Sequence, residues 1–183
     1  MKTFGDIAFT RAVQSLQAQD GSRAAYARMQ ASPAPEELGV AERTFLAEAD
    51  SAYLATVGET GWPYVQHRGG PPGFLRVVAP ALIAFADFRG NRQHVSEGNA
   101  SVNDKASMIV MDYAARRRLK LLGRLRFQPI EQAEPGIAQA IALPAYRARV
   151  ERVALFEVTA FDWNCPHHIT PRYTLEQIAA LSR

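Results

Sequence analysis

Polar and charged side chains gather at four places along the chain. The first is Phe85-Ala-Asp-Phe-Arg89-Gly90-Asn91-Arg92-Gln93, where a strand passes a glycine and enters a helix with two arginines close by. Backbone N–H groups converge at such a turn, the helix dipole favours negative charge there, and Arg89 or Arg92 can add a charge-assisted fork. That is phosphate-binding chemistry; an arginine-bearing surface turn is the plain alternative. The second is Tyr64-Val-Gln66-His67-Arg68-Gly69-Gly70 at a strand end. Period two puts Gln66 and Arg68 on one face and His67 on the other. These groups suit the polar edge of a planar heterocycle or its phosphate tail, and a solvated strand end is the competing reading.

The third is a basic run in which Arg116, Arg117, Arg118, Lys120, Arg124 and Arg126 crowd together. Such a patch attracts phosphate, nucleic acid or an acidic surface. Arginine and lysine also keep an edge strand from pairing with another chain, which fits Arg124 and Arg126. The fourth is Asp162-Trp163-Asn164-Cys165-Pro166-His167-His168-Ile169. Cys165, His167 and His168 are spaced too closely to face one ion together, so a metal is not expected. Trp163 and its polar neighbours could instead cover one face of an aromatic ligand. The lone thiol has no nucleophile framework around it. No general acid or base is identifiable; His67 is the nearest candidate.

These segments need elements to position them. The first fifty residues read as helices: Asp6 caps a stretch through Gln19, Ser22 one to Gln30, and Pro35 opens a third through Ala49. From Ser51 the period changes to two. Strands are expected at 51–57, 62–69, 74–78, 81–85, 107–112, 118–127 and 152–161. Short helices are expected at 91–99 and 136–143, with a last one from Thr174 to Ser182. The strand 118–127 alternates most clearly, with Leu119, Leu121, Gly123, Leu125 and Phe127 on one face and a mostly basic face opposite. Helices and strands do not alternate and no GxGxxG occurs, so an α+β barrel is favoured over a Rossmann sheet.

Composition bounds the rest. A chain of 183 residues, 48% hydrophobic and 21% charged, is expected to fold as one domain over 1–183, with 1–49 a helical extension. No apolar run reaches the roughly 20 residues of a membrane span. The N-terminus lacks the apolar stretch of a signal peptide and Cys165 is the only cysteine, so a cytoplasmic address without disulfides is expected.

Together and in this order, the four segments resemble the pyridoxamine 5'-phosphate oxidase-related FMN-binding proteins. The resemblance runs from about Glu42 to Arg172. It is carried by AYLATVGETGWPYVQHRGGPPGF, IAFADFRGNRQHVSEGN, RRRLKLLGRLRF and DWNCPHHITPR. It implies an α+β fold: a six-stranded antiparallel split β-barrel with flanking helices, forming a homodimer with two FMN sites built from both subunits. By position, Gln66, His67 and Arg68 match the strand that lines the flavin. Ala86, Asp87, Arg89, Gly90, Asn91 and Arg92 match the turn that holds the ring edge and phosphate. Arg118 and Lys120 match the long strand that reaches the flavin, often from the second subunit, where a cation tunes the ring. Trp163 and Asn164 match the C-terminal contribution.

Two departures argue against pyridoxamine phosphate oxidation. Gly90-Asn91-Arg92 stands where the true oxidase carries a serine-arginine-lysine run, and the chain ends Ala-Leu-Ser-Arg rather than in the arginine- and proline-containing tail. The expected function is an FMN-dependent oxidoreductase or flavin reductase of unknown substrate, with a nicotinamide as candidate electron donor. The alternative is a non-catalytic flavin- or haem-binding split barrel, with His67, His94, His167 or His168 as an axial ligand. Nucleic acid ranks last as a partner, because no aromatic residues interleave with the basic run.

Overall fold

The computed structural model describes residues 1–90, 92–163 and 167–181. Four helices come first: α1 Phe4–Ala8, α2 Arg11–Gln19, α3 Arg23–Gln30 and α4 Val40–Glu48. Strands β1 Ser51–Val57, β2 Pro63–Gly69, β3 Arg76–Ala79 and β4 Leu82–Phe88 follow, then α5 Val95–Val102. Beyond α5 lie β5 Lys105–Asp112, β6 Arg117–Pro129, a 3-10 turn Ile130–Gln132, α6 Pro135–Ala140, β7 Val150–Trp163 and α7 Leu175–Leu181. The strands form one antiparallel sheet in the order β2-β1-β5-β6-β7-β4-β3.

This sheet has seven strands among the described residues rather than the six implied by the resemblance. One edge is β3, four residues long and paired only with β4. Side chains of β2 and β4 nevertheless meet, so the sheet is rolled, with its two edge strands β2 and β3 left unpaired to each other. Its inner face holds the core: Leu54, Phe85, Met108, Val110, Leu119, Leu121, Leu125 and Phe156 are buried there, with Phe45 and Leu46 of α4. Each such side chain contributes about 1.5–3 kcal/mol through its removal from water.

Alternation in β7 holds except at Val153–Phe156, where four successive residues are buried. Ala84, Ala86, Val153 and Leu155 face the other side, beneath Ile141 and the partly buried Ile137 of α6. A strand covered on both faces has no reason to alternate.

Three helix boundaries differ from expectation. The stretch 6–19 breaks at Phe9, whose ring packs edge-on against Tyr26 at 5.3 Å; Thr10 then caps α2. Asp6 lies inside α1 and completes a capping box with Thr3. The helix expected from Pro35 starts at Val40, because Leu38 is fully buried and its N–H donates to Pro80 O at 2.8 Å. That bond keeps the segment before Val40 out of the helix, which begins where Glu42 accepts from Gly39 N. The helix expected from 91 starts at Val95, since Arg92 and His94 take left-handed φ values of 57° and 54°.

Candidate functional site

The C-terminal ends of β2 and β4 and the start of α5 enclose a small cavity of about 70 Å³. Its walls include Gln66, Arg68, Asp87, Arg92, Ser96 and Glu151. At its base, Asp87 Oδ1 accepts from Arg68 Nη1 at 2.7 Å, while Oδ2 accepts from Arg152 Nε and Nη2 at 2.8 and 2.6 Å. The three side chains are only 16%, 7% and 18% exposed for Arg68, Asp87 and Arg152, so two guanidiniums share one buried carboxylate, and Arg152 also lies 3.5 Å from Glu97. Burial works to lower the Arg152 pKa, but hydrogen bonding to Asp87 and the charges of Asp87, Glu97 and Glu151 together raise it above its ordinary value. Arg68 retains one buried donor, Nε, without a partner.

The rim is more open. Glu151 Oε1 lies 3.7 Å from Arg89 Nε and 3.5 Å from Arg92 Nη2. His94 precedes the first turn of α5, and its side chain pairs with Glu97 at 2.7 Å rather than capping the helix. Ser96 of that turn donates to Gln66 Oε1 at 2.8 Å and fixes the amide's orientation. The cavity thus combines a helix N-terminus that His94 does not cap, two half-exposed arginines sharing one carboxylate, and a positioned amide. This is a donor-rich surface suited to an oxyanion.

Gln66, Arg68, Asp87, Gly90 and Arg92 therefore come together, with Arg89 beside them. His67 does not. It lies on the outer face of β2, exposed, with its ring 5.7 Å from that of Tyr53. Ala86 is buried toward α6 and presents no side chain to the cavity. Lys120 pairs with Asp162 at 2.7 Å and sits 4.4 Å from the Phe4 ring centroid. Trp163 packs edge-on against Phe45 at 4.8 Å and donates Nε1–H to buried Glu42 at 2.7 Å. Arg118 is half-buried directly opposite Met111 in the β5–β6 ladder, with its Nε unpartnered. Arg118, Lys120 and Trp163 thus lie outside the cavity in a single chain. Asn91 and Asn164, like Cys165, fall outside the described residues.

The motifs did not single out Glu151, Arg152 and Ser96. Arg152 is the direct ladder partner of Asp87, a pairing that becomes visible only once β4 and β7 are placed in register. Ser96 needed the docking of α5 against β2. Among the described residues, no cluster of His, Cys, Asp and Glu could hold a metal ion, and no helix is long and apolar enough to cross a membrane.

Solved structures share this architecture at low identity. HupZ of Group A Streptococcus superposes with a TM-score of 0.55 at 17% identity, covering 74% of this chain and 99% of that one. An FMN-binding protein of Syntrophomonas wolfei gives 0.55 at 13% identity, over 81% and 97%. A putative pyridoxamine 5'-phosphate oxidase of Lactobacillus delbrueckii gives 0.51 at 16%, over 70% and 95%. No curated protein matches the sequence significantly. The sequence profile of the pyridoxamine 5'-phosphate oxidase family matches residues 39–164, well over half of the chain and all seven strands, so the chain belongs to that family.

Proposed function

We propose that this protein is an FMN-binding flavoprotein that acts as an oxidoreductase or flavin reductase. The observation that carries this reading is the sharing of one carboxylate, Glu151, by Arg89 and Arg92 beside the N-terminus of α5. Two guanidinium groups against one acid leave positive charge over, and a phosphate would take it up.

In this reading Arg89, Arg92 and the first turn of α5 hold the phosphate, and Gln66 and Arg68 turn polar atoms toward the ring edge. The free Arg68 Nε supplies a donor that no protein group uses. Bound flavin supplies hydride or electron transfer, and the chain binds it, orients it and tunes its charge. The ring lies beyond the cavity, where a second copy of the chain completes the site with the long-strand cations. The outer sheet face favours such a homodimer, because Val65 is 60% exposed there and Trp62, just ahead of β2, is 78% exposed.

The test is an absorption spectrum of the purified protein, with released ligand identified by mass. FMN is expected, and Arg92→Ala is expected to weaken its binding at least about tenfold through loss of a charge-assisted contact. Bleaching by a reduced nicotinamide would support the oxidoreductase half of the reading. A colourless protein that refuses added FMN overturns the whole of it.

A further inference from the structure

A second and larger cleft, about 340 Å³, lies where the end of α4, the β5–β6 turn and the segment before α7 meet. It shares no lining residue with the cavity between β2, β4 and α5. Its volume falls in the range of small-molecule sites, roughly 300–1,000 Å³. Phe45, Ala49, Met111 and Ala114 give it apolar walls. Tyr113 adds an aromatic one, and Arg172 reaches over that ring with its guanidinium carbon 4.9 Å from the centroid.

Arg172 differs from the other arginines of the two clefts. Arg68, Arg89, Arg92 and Arg152 each face a carboxylate within 4 Å, whereas Arg172, among the described residues, has the Tyr113 ring and no acid. Stacking fixes the plane of a guanidinium and leaves its N–H edge free for a planar oxyanion. The ring beneath it is held in turn. Side-chain hydrogen bonding with Tyr53, then burial, raise the Tyr113 pKa above its ordinary value, so the phenol stays neutral under a cation.

We infer that this cleft binds a planar aromatic molecule carrying a single oxyanion, with Arg172 as its anchor. The ring lies among Phe45, Met111 and Tyr113, and the anion meets the free guanidinium edge. Glu48, Asp50 and Asp112 also line the cleft. Asp112 is occupied by Arg117 at 3.3 Å and by Ala115 N at 2.8 Å, and Asp50 accepts from Ser51 Oγ at 2.8 Å. Their charge repels polyanions, so the site selects a monocarboxylate over a nucleotide or a polyphosphate. The inference goes beyond the flavin reading and does not depend on it.

Trp163 provides the readout, since it packs on Phe45 at the cleft wall. In a Trp62→Phe background it is the only tryptophan. Benzoate is expected to change its fluorescence saturably, and benzamide, the same ring without the charge, to bind at least about tenfold more weakly. Arg172→Gln is expected to abolish the preference for benzoate while leaving benzamide binding and FMN content unchanged. Arg172→Lys should retain part of it. Equal benzoate affinity in wild type and Arg172→Gln, or no saturable signal with either compound, would overturn the inference. A protein that binds benzoate but not FMN would sink the flavin reading and leave this one standing.

Discussion

Arg68 and Asp87 form an ion pair of 2.7 Å although their strands, β2 and β4, stand five places apart in the sheet. In a flat sheet five steps of about 4.8 Å would separate them by about 24 Å. The contact exists only because the sheet rolls, and Arg152 on the opposite oxygen ties the same carboxylate to β7. Asp87→Asn preserves shape and removes the charge, stranding two largely buried arginines. Unfolding in urea is expected to show a loss of about 3 kcal/mol or more. A loss below about 1 kcal/mol would mean that solvent reaches these arginines and that the clamp does not hold the roll.

Gly123 is the second place where the roll depends on one residue. It sits at the register shift between β6 and β7. A Cβ there would collide with the Glu157 carbonyl oxygen and come within 2.7 Å of the Phe156 ring. Phe156 is fully buried and the obstruction is partly backbone, so neither can yield cheaply. Gly123→Ala is expected to cost about 2–3 kcal/mol, read as a lower urea midpoint with unchanged slope. A near-neutral result would show that the bulge can migrate along the strand.

How far the sequence could be read follows from the range of the forces involved. β6 was legible because one covered face enforces alternation from Leu119 to Leu125. β7 was legible in extent, but not in its doubly covered stretch Val153–Phe156, because the cover comes from α6, distant in sequence. The pairing of Gln66, Arg68, Asp87 and Arg92 into one site followed from the family resemblance. Period two gave only the shared face of Gln66 and Arg68. The roles of Glu151, Arg152 and Ser96 were not visible, since each arises from ladder register or helix docking. Within a single chain, β6 and the end of β7 present Lys120 and Trp163 to α1 and α4, contacts set by helix docking that strand periodicity does not report.

Glu151 should compete with any phosphate at this site, because its carboxylate already lies near both Arg89 and Arg92. Glu151→Gln removes that internal counterion and keeps an amide of the same size. FMN and inorganic phosphate are both expected to bind several-fold more tightly, as fluorescence titration would measure, with a steeper dependence on salt. A weaker affinity would show that Glu151 acts by holding the arginines in place, and the rim would then need its carboxylate.

The N-terminal cap gives a test in pH. Asp6 Oδ2 accepts from Thr3 N and Oδ1 from Gln30 Nε2, both at 3.1 Å. Hydrogen bonding from Thr3, then from Gln30, holds its carboxyl below the ordinary value of 3.8. The unfolded chain therefore takes up the proton first as acid is added. The stabilisation is fully present above pH 3.8 and is lost as pH falls through the lower folded value. α1 is tied to the barrel through Lys2 N to Thr159 O at 2.8 Å, so loss of the cap should register in the global transition. Asp6→Asn is expected to melt below wild type near neutral pH, with the gap closing in acid. Thermal melts across that range decide it: a gap that persists unchanged below the folded pKa would show that the carboxylate's charge contributes nothing and that hydrogen-bond geometry alone makes the cap.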